Sequence, residues 1–352
     1  MLSFSKSKYC AFWQCPKIAW LNQFRPEERV ADASADSHME AGQEVGKLAR
    51  NLFGTYVDVT TYVNQRLDIP SMLEKTKKEI EKRTSVICEA AFSYEGYYCA
   101  VDILKKTDDG WEIYEVKSST ATKATVAVEP VYSADIAYQK YVLEHCGIPV
   151  VGTYLVNINS DYVLEGELNI EELFCIRDVS VPVDEELKNV ENNLKAAQQI
   201  LNSTEEPKYD LGIGCQSPYP CPYWNYCTKH VPKESVFDLY RLPFKKKMEY
   251  YHQGLITYED LKASGVIKNP KQQRQMLFAM EDIFWILKQC NRLFHYLKER
   301  NHISRFHFNI LFIILKKMED RYCIKNFWRS QEQIHYEILQ KHYVEIFRRM
   351  YV

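Results

Sequence analysis

The 352 residues include 46% hydrophobic side chains, enough to bury the core of one large domain or two ordinary ones. A formal net charge of -2 excludes the uniformly basic surface of a histone-like binder but leaves room for a local basic groove that holds nucleic acid. Eleven cysteines are scattered through this long chain, behind an N-terminus without the charged and apolar regions of a signal peptide, and a reducing cytoplasm fits them better than a disulfide framework. The longest purely apolar run, Ile310 to Leu315, is too short to cross a bilayer, so no membrane partner is expected.

In chain order, Ser3 to Leu21 reads as helical with a local break or first turn at Pro16. Residues 37–53 form an amphipathic helix whose apolar stripe is Met39, Val45, Leu48, Ala49 and Leu52. Pro70 and the Glu/Lys pattern from Leu73 to Lys82 predict another helix. The periodicity then changes: Val86 to Tyr94, Tyr97 to Lys106 and Trp111 to Lys117 are rich in β-branched and aromatic residues and read as strands. Gly96 and Thr107-Asp108-Asp109-Gly110 supply the turns. A helix over Ala134 to Glu144, a strand over Val150 to Val156 and a helix over Glu185 to Leu201 complete a mixed α/β core. The loop Tyr209 to Cys227 is dense in Gly, Pro, Cys and aromatics. Residues 1–229 are expected to form one domain, 230–280 a charged helical connector and 281–352 a tail of unusual composition.

If Lys106 pairs with Trp111 across the four-residue turn, antiparallel register sets Asp102 opposite Glu115. Strand alternation puts Glu115 and Lys117 on one face, with Tyr114 and Val116 on the other. Two carboxylates and the Val116 backbone carbonyl offer hard oxygen ligands that suit magnesium or manganese. Such an ion can activate water against a phosphodiester, with Lys117 positioning the water or neutralising the phosphate. An ordinary cross-strand charge cluster on a surface hairpin is the competing interpretation.

This hairpin resembles that of the PD-(D/E)XK nucleases, specifically the RecB-like branch, in which a helix bearing a glutamine follows. The resemblance implies a restriction-endonuclease-like core, a mixed sheet flanked by helices, and gives Gln139 of Asp135-Ile136-Ala137-Tyr138-Gln139 a role near the water or phosphate. Glu89 matches a glutamate often found on the preceding strand of that branch, with a core-edge or solvent role as the alternative. Many RecB-like enzymes also carry a metal-binding histidine four residues after a glycine on the early helix. In Gly42-Gln43-Glu44-Val45-Gly46 that position is Gly46, which has no side chain to bind metal. Glu44 is a possible substitute, and His38 lies too far upstream to be equivalent.

Cys215, Cys221 and Cys227 stand at equal six-residue steps and need one more ligand to close a four-cysteine site. Cys15, in Gln14-Cys15-Pro16-Lys17, is the first candidate and Cys10 the second, while Cys88, Cys99, Cys146 and Cys175 sit in apolar settings expected of core residues. One cysteine before the nuclease core and three after it resembles the iron-sulfur staple of AddB-type and CRISPR-associated RecB-like nucleases, which implies a structural 4Fe-4S cluster. Structural zinc is the main competitor, and unligated cysteines are the third option.

Lys105, Lys106, Lys123 and Lys140, with Lys245-Lys246-Lys247, are candidates to track a phosphate backbone, and Tyr219, Tyr223 and Trp224 to stack on unpaired bases. The expected partner is therefore DNA with single-stranded character, and the expected activity exonuclease-like hydrolysis. A catalytically silent nucleic-acid-binding module is the alternative. Ser3 to about Met280 also resembles a bacterial family that joins a RecB-like nuclease to a DnaQ-like exonuclease domain. Read one base out of frame, Trp285 and Ile286 force an aspartate codon, and their neighbours permit the Phe-Leu-Asp-Phe-Glu-Thr segment that begins such a domain. Two later segments, residues 306–311 and 341–347, permit further family-like matches in order. A frameshift near Glu281 is the hypothesis these matches support, and a genuine helical tail its competitor. The nucleotide sequence decides between them: codons unable to encode these segments in the shifted frame reject the hypothesis.

Overall fold

The computed structural model describes residues 4–30, 35–122 and 124–280. Among them the chain divides after His230 into two compact units. The first is mixed α/β. Strand β1 (Phe4–Ser5) leads into helices α1 (Lys6–Gln14) and α2 (Pro16–Phe24), and α3 (Ala35–Ala49) follows. The next elements are β2 (Val57–Asp58), the ribbon β3 (Tyr62–Val63) and β4 (Arg66–Leu67), and α4 (Ile69–Glu81). Then come the hairpin strands β5 (Val86–Tyr94), β6 (Tyr97–Lys106) and β7 (Trp111–Ala121), followed by α5 (Pro130–His145) and β8 (Val150–Asn159). The unit ends with α6 (Ile170–Leu173), β9 (Phe174–Asp178), α7 (Ser180–Asn202) and the short α8 (Trp224–Cys227).

The curled sheet has the order β2-β5-β6-β7-β8-β9, with β1 joining β6 from the side. Glu95 and Gly96 both take positive φ (48° and 83°), as a two-residue hairpin turn whose twist matches its strands requires. At the next turn Thr107 N–H donates to the Gly110 carbonyl at 2.8 Å, which fixes the Lys106–Trp111 pair expected from the sequence. Because α5 crosses over between β7 and β8, those two strands run parallel.

Helices cover both faces of the sheet. On one, Ile113, Val101 and Leu155 bury against Tyr9 and Phe12 of α1, Ala134, Ile136 and Tyr138 of α5, and Val190 and Leu194 of α7. On the other, Ala49 packs with Val86, Cys88, Ile103, Tyr114 and Val156. The stripe expected on α3 is shorter at its start, since Met39 is 60% exposed. Cys88, Cys99 and Cys175 are core residues, whereas Cys146, also expected in the core, is exposed because it caps the C-terminal end of α5.

The second unit contains α9 (Phe244–His252), α10 (Tyr258–Ser264) and α11 (Pro270–Met280). A capping box closes the start of α10, where Thr257 Oγ1 accepts from Asp260 N–H and the Asp260 carboxylate accepts in return from Thr257 N–H. The tail and its proposed frameshift, the side chain of His38, and Lys123 lie outside the described residues.

Gly110 sits where a Cβ would approach the Pro149 carbonyl to 2.7 Å and Val151 Cγ1 to 2.8 Å. We expect Gly110→Ala to push β7 from the start of β8 and to destabilise the fold by about 1–3 kcal/mol in urea unfolding, with no loss of helix content.

Candidate active site and cysteine cavity

The site forms where a strand changes neighbours. At Tyr97 and Tyr98, β6 is flanked by β1, and from Ile103 onward by β7. Asp102 lies between these two regimes. The last β6–β7 pair is Ile103 with Tyr114, so the next step sets Asp102 facing Glu115 just where the strands part. The Val116 N–H, past that last pair, donates to Asp102 Oδ2 at 2.7 Å, a side chain thus replacing the ladder acceptor that β6 no longer supplies.

Glu115 is 1% exposed, and both its oxygens are engaged. Lys117 Nζ donates to Oε1 at 2.6 Å, Gln139 Nε2 to Oε2 at 2.8 Å, and Lys6 Nζ lies 3.0 Å and 3.2 Å from the two oxygens. Asp135 closes the ring, accepting from Lys117 Nζ at 2.8 Å and Gln139 Nε2 at 3.0 Å, with Lys6 Nζ at 3.5 Å. Asp135 and Gln139 are one turn apart on α5 and so share a face. Lys6 reaches in because β1 hands the chain straight to α1 beside β6.

Three carboxylates, Asp102, Glu115 and Asp135, therefore meet two ammonium groups, Lys6 and Lys117. Burial, and then the Glu115 charge, push Asp102 up to about 7. Burial would raise Glu115 as well, but Lys117, Lys6 and the Gln139 hydrogen bond outweigh it and hold Glu115 below its ordinary value. Burial opposes the Lys117 charge, yet Glu115, Asp135 and Asp102 raise its pKa well above the usual lysine range.

The donor set suits a hard cation: buried carboxylate oxygens in excess over resident positive charge, beside a Gln139 Oε1 that is buried and accepts no hydrogen bond. Among the described residues no group of three or more His, Cys, Asp or Glu side chains is arranged to hold a metal as it stands. At Glu115, ammonium and amide donors take both oxygens.

At the neighbouring corner, Gly46 has open space around the position of a Cβ, and Glu44 is exposed. Arg50, one turn beyond Gly46, pairs instead with Asp58 and with Glu89 Oε1, the latter at 2.9 Å. Glu89 lies between the pairs Cys88–Ile103 and Ala90–Val101, opposite Asp102, and holds a φ of 56° within a strand. That left-handed conformation costs a non-glycine residue about 1–2 kcal/mol. Burial raises its carboxyl pKa and Arg50 partly offsets the rise.

Cys15, Cys215, Cys221 and Cys227 line one cavity of about 130 Å3, together with Lys17, Leu211 and other side chains. Gln14 holds the loop that forms it, donating from Nε2 to the carbonyls of Gly214 at 2.7 Å and Tyr219 at 2.8 Å. Gly214 must be glycine, because a Cβ there would stand 2.5 Å from the Gln14 carbonyl oxygen. Ile18, Leu21 and Tyr223 pack behind the cysteines. Burial pushes the Cys221 thiol up to about 12 and raises Cys215 and Cys227 too, so a cationic group would be needed to hold them as thiolates. The donors fit a soft metal or cluster. Cys10, the other candidate ligand, does not line this cavity, and its thiol is raised by burial and then by the Asp135 charge.

Two tyrosines stand between the two centres. Tyr219, between Cys215 and Cys221 in sequence, shares a hydrogen bond with Tyr132 of α5, whose ring centroid lies 5.3 Å from Lys117 Nζ. Of the proposed stacking residues, Tyr219 is exposed, while Tyr223 is fully buried with its hydroxyl bonded to Asn22. Among the proposed phosphate-tracking lysines, Lys105 pairs with Glu112, Lys140 with Asp184 and Lys246 with Glu249. Nothing in the sequence singles out Lys6 or Arg50, whereas the four-residue spacing of Asp135 and Gln139 places those two on one helix face. No protein-family model and no curated protein matches the chain.

Because the Asp102 pKa rises from its ordinary 3.8 to about 7 on folding, the folded state binds the proton more tightly than the unfolded chain. Stability from this group is therefore full below pH 4 and falls as pH rises toward 7. In chelator, Asp102→Asn removes that titration, so its melting temperature should exceed that of the wild type by more at pH 7.5 than at pH 4.5. A constant difference rejects the shift.

Proposed function

We propose that the chain is a metal-dependent nuclease that hydrolyses DNA phosphodiester bonds, with a RecB-like PD-(D/E)XK core. The observation that carries this reading is the half-buried Asp102 facing the buried Glu115 at the strand fork, with Lys117 2.6 Å from Glu115 on the same face. Asp102, Glu115 and the Val116 carbonyl would hold Mg2+ or Mn2+, which when bound lowers the pKa of water and stabilises developing phosphate charge. Lys117, fixed between Glu115 and Asp135, presents a permanent positive charge that orients the attacking water and neutralises a phosphoryl oxygen. Gln139 fixes Glu115 through its amide and keeps Oε1 as an acceptor to orient a water proton. The exposed Tyr219, standing beside Tyr132, offers an aromatic face to an unpaired base, which favours DNA of single-stranded character.

Cys15, Cys215, Cys221 and Cys227 would hold a structural 4Fe-4S cluster, with zinc as the alternative occupant. A cavity of about 130 Å3 lined by all four thiols leaves room for a cluster of several atoms. Such a group would tie both ends of the nuclease domain, residues 1–229, together. All nine cysteines among the described residues are free, which accords with a reducing cytoplasmic setting, and no described helix is long and apolar enough to cross a membrane.

A second reading has its own support: with both Glu115 oxygens already satisfied, the ring is a closed charge network suited to a silent nucleic-acid-binding module. Cleavage assays on single- and double-stranded DNA with Mg2+ or Mn2+ discriminate the two. Asp102→Ala and Lys117→Ala, folded by circular dichroism, should each lower cleavage about a hundredfold or more. Unchanged cleavage in both rejects the assignment. Anaerobically purified protein should show a broad visible absorption band that Cys221→Ser diminishes, with Gly214→Ala lowering iron content by displacing the loop from Gln14. A colourless protein holding one zinc per chain replaces the cluster with zinc.

A further inference from the structure

Lys6 and Lys117 are not equivalent partners of Glu115. Lys117 projects from the middle of β7, lies 2.6 Å from Glu115 and 2.8 Å from Asp135, and has its ammonium over the Tyr132 ring. Lys6 is the first residue of α1 and keeps longer distances of 3.0 Å and 3.5 Å to the same two residues, although the two lysine side chains are about equally exposed, 23% and 20%. Its flexible stem springs from the end of a helix and not from within the sheet, so the ammonium can swing away without displacing a strand. Yet its charge stands where it contacts both oxygens of the carboxylate most suited to a hard cation.

We infer that Lys6 is a built-in occupant of the cation site, and that its ammonium and a divalent metal ion compete for the Glu115 carboxylate. This rests on the metal-site reading proposed above and adds to it a residue that sets metal affinity. The charge count supports competition: with all three carboxylates ionised, as cation binding requires, they exceed the two ammonium groups by one, so a doubly charged ion added with Lys6 in place leaves this ring net positive. Withdrawal of Lys6 returns the cluster to neutrality. The arrangement keeps the carboxylates satisfied without metal and raises the metal concentration needed to load the site.

The test is Mn2+ binding to the full chain, read from the electron paramagnetic resonance of free Mn2+ at neutral pH and low salt, without DNA. Lys6→Gln should bind Mn2+ about tenfold more tightly than the wild type, as expected from removing one like charge in contact with the site. Lys6→Met, which keeps the apolar stem, should show the same gain, and Lys6→Arg should remain near the wild type. Asp102→Ala should abolish the binding in both the wild-type and Lys6→Gln backgrounds. Equal or weaker binding in folded Lys6→Gln and Lys6→Met overturns the competition while leaving the metal site standing. Mn2+ binding that Asp102→Ala does not reduce in either background overturns the metal site and the competition together.

Discussion

A carboxylate with almost no exposure to water survives only where its charge is compensated, and Glu115 sets that condition for the whole first unit. Its partners come from three elements: Lys6 from the start of α1, Lys117 from its own strand, and Gln139 from α5. Each can arrive only if the sheet divides as it does. Were β6 and β7 paired along their full length, the Val116 N–H would be satisfied by backbone and Asp102 would have no reason to turn toward it. Fold and charge cluster thus specify each other.

The same logic explains why the N-terminal helices and the cysteine loop behave as one layer. Trp20 Nε1 donates to the Ser203 carbonyl, Lys17 pairs with Glu206, and Lys229 pairs with Glu28, while Gln14 holds two carbonyls of the loop. Most of these contacts are polar and partly wet, each contributing modestly to stability. The four thiols they surround are held near one another by a frame that exists without any bond between sulfurs.

Much of this was legible in the sequence. The hairpin register followed from a four-residue turn and strand alternation, and the periodicity found α3, α4, α5, α7 and the long strands. The grouping of Cys15 with the later three followed from counting ligands, and the structure brings those four, rather than Cys10, to one cavity. What the sequence hid was of two kinds. Strands β1, β2 and β9 are too short or too mixed in composition to show a period, and β1 is what delivers Lys6. Arg50 and Asp135 drew no role from the sequence because their partners, Glu89 and the two lysines, become neighbours only after the sheet has formed.

Helix α1 begins at the carboxylate ring with Lys6 and ends at the cysteine cavity with Gln14, next to Cys15. Its nine residues make a rod about 13 Å long in which successive residues are rotated by about 100°. Inserting or deleting a single residue within it would swing one end around the axis relative to the other, so no repacking of side chains could keep both ends engaged. The distance in sequence from Lys6 to Cys15 is therefore a fixed ruler, and length variation in this protein would be expected everywhere on its surface before it appeared between those two positions.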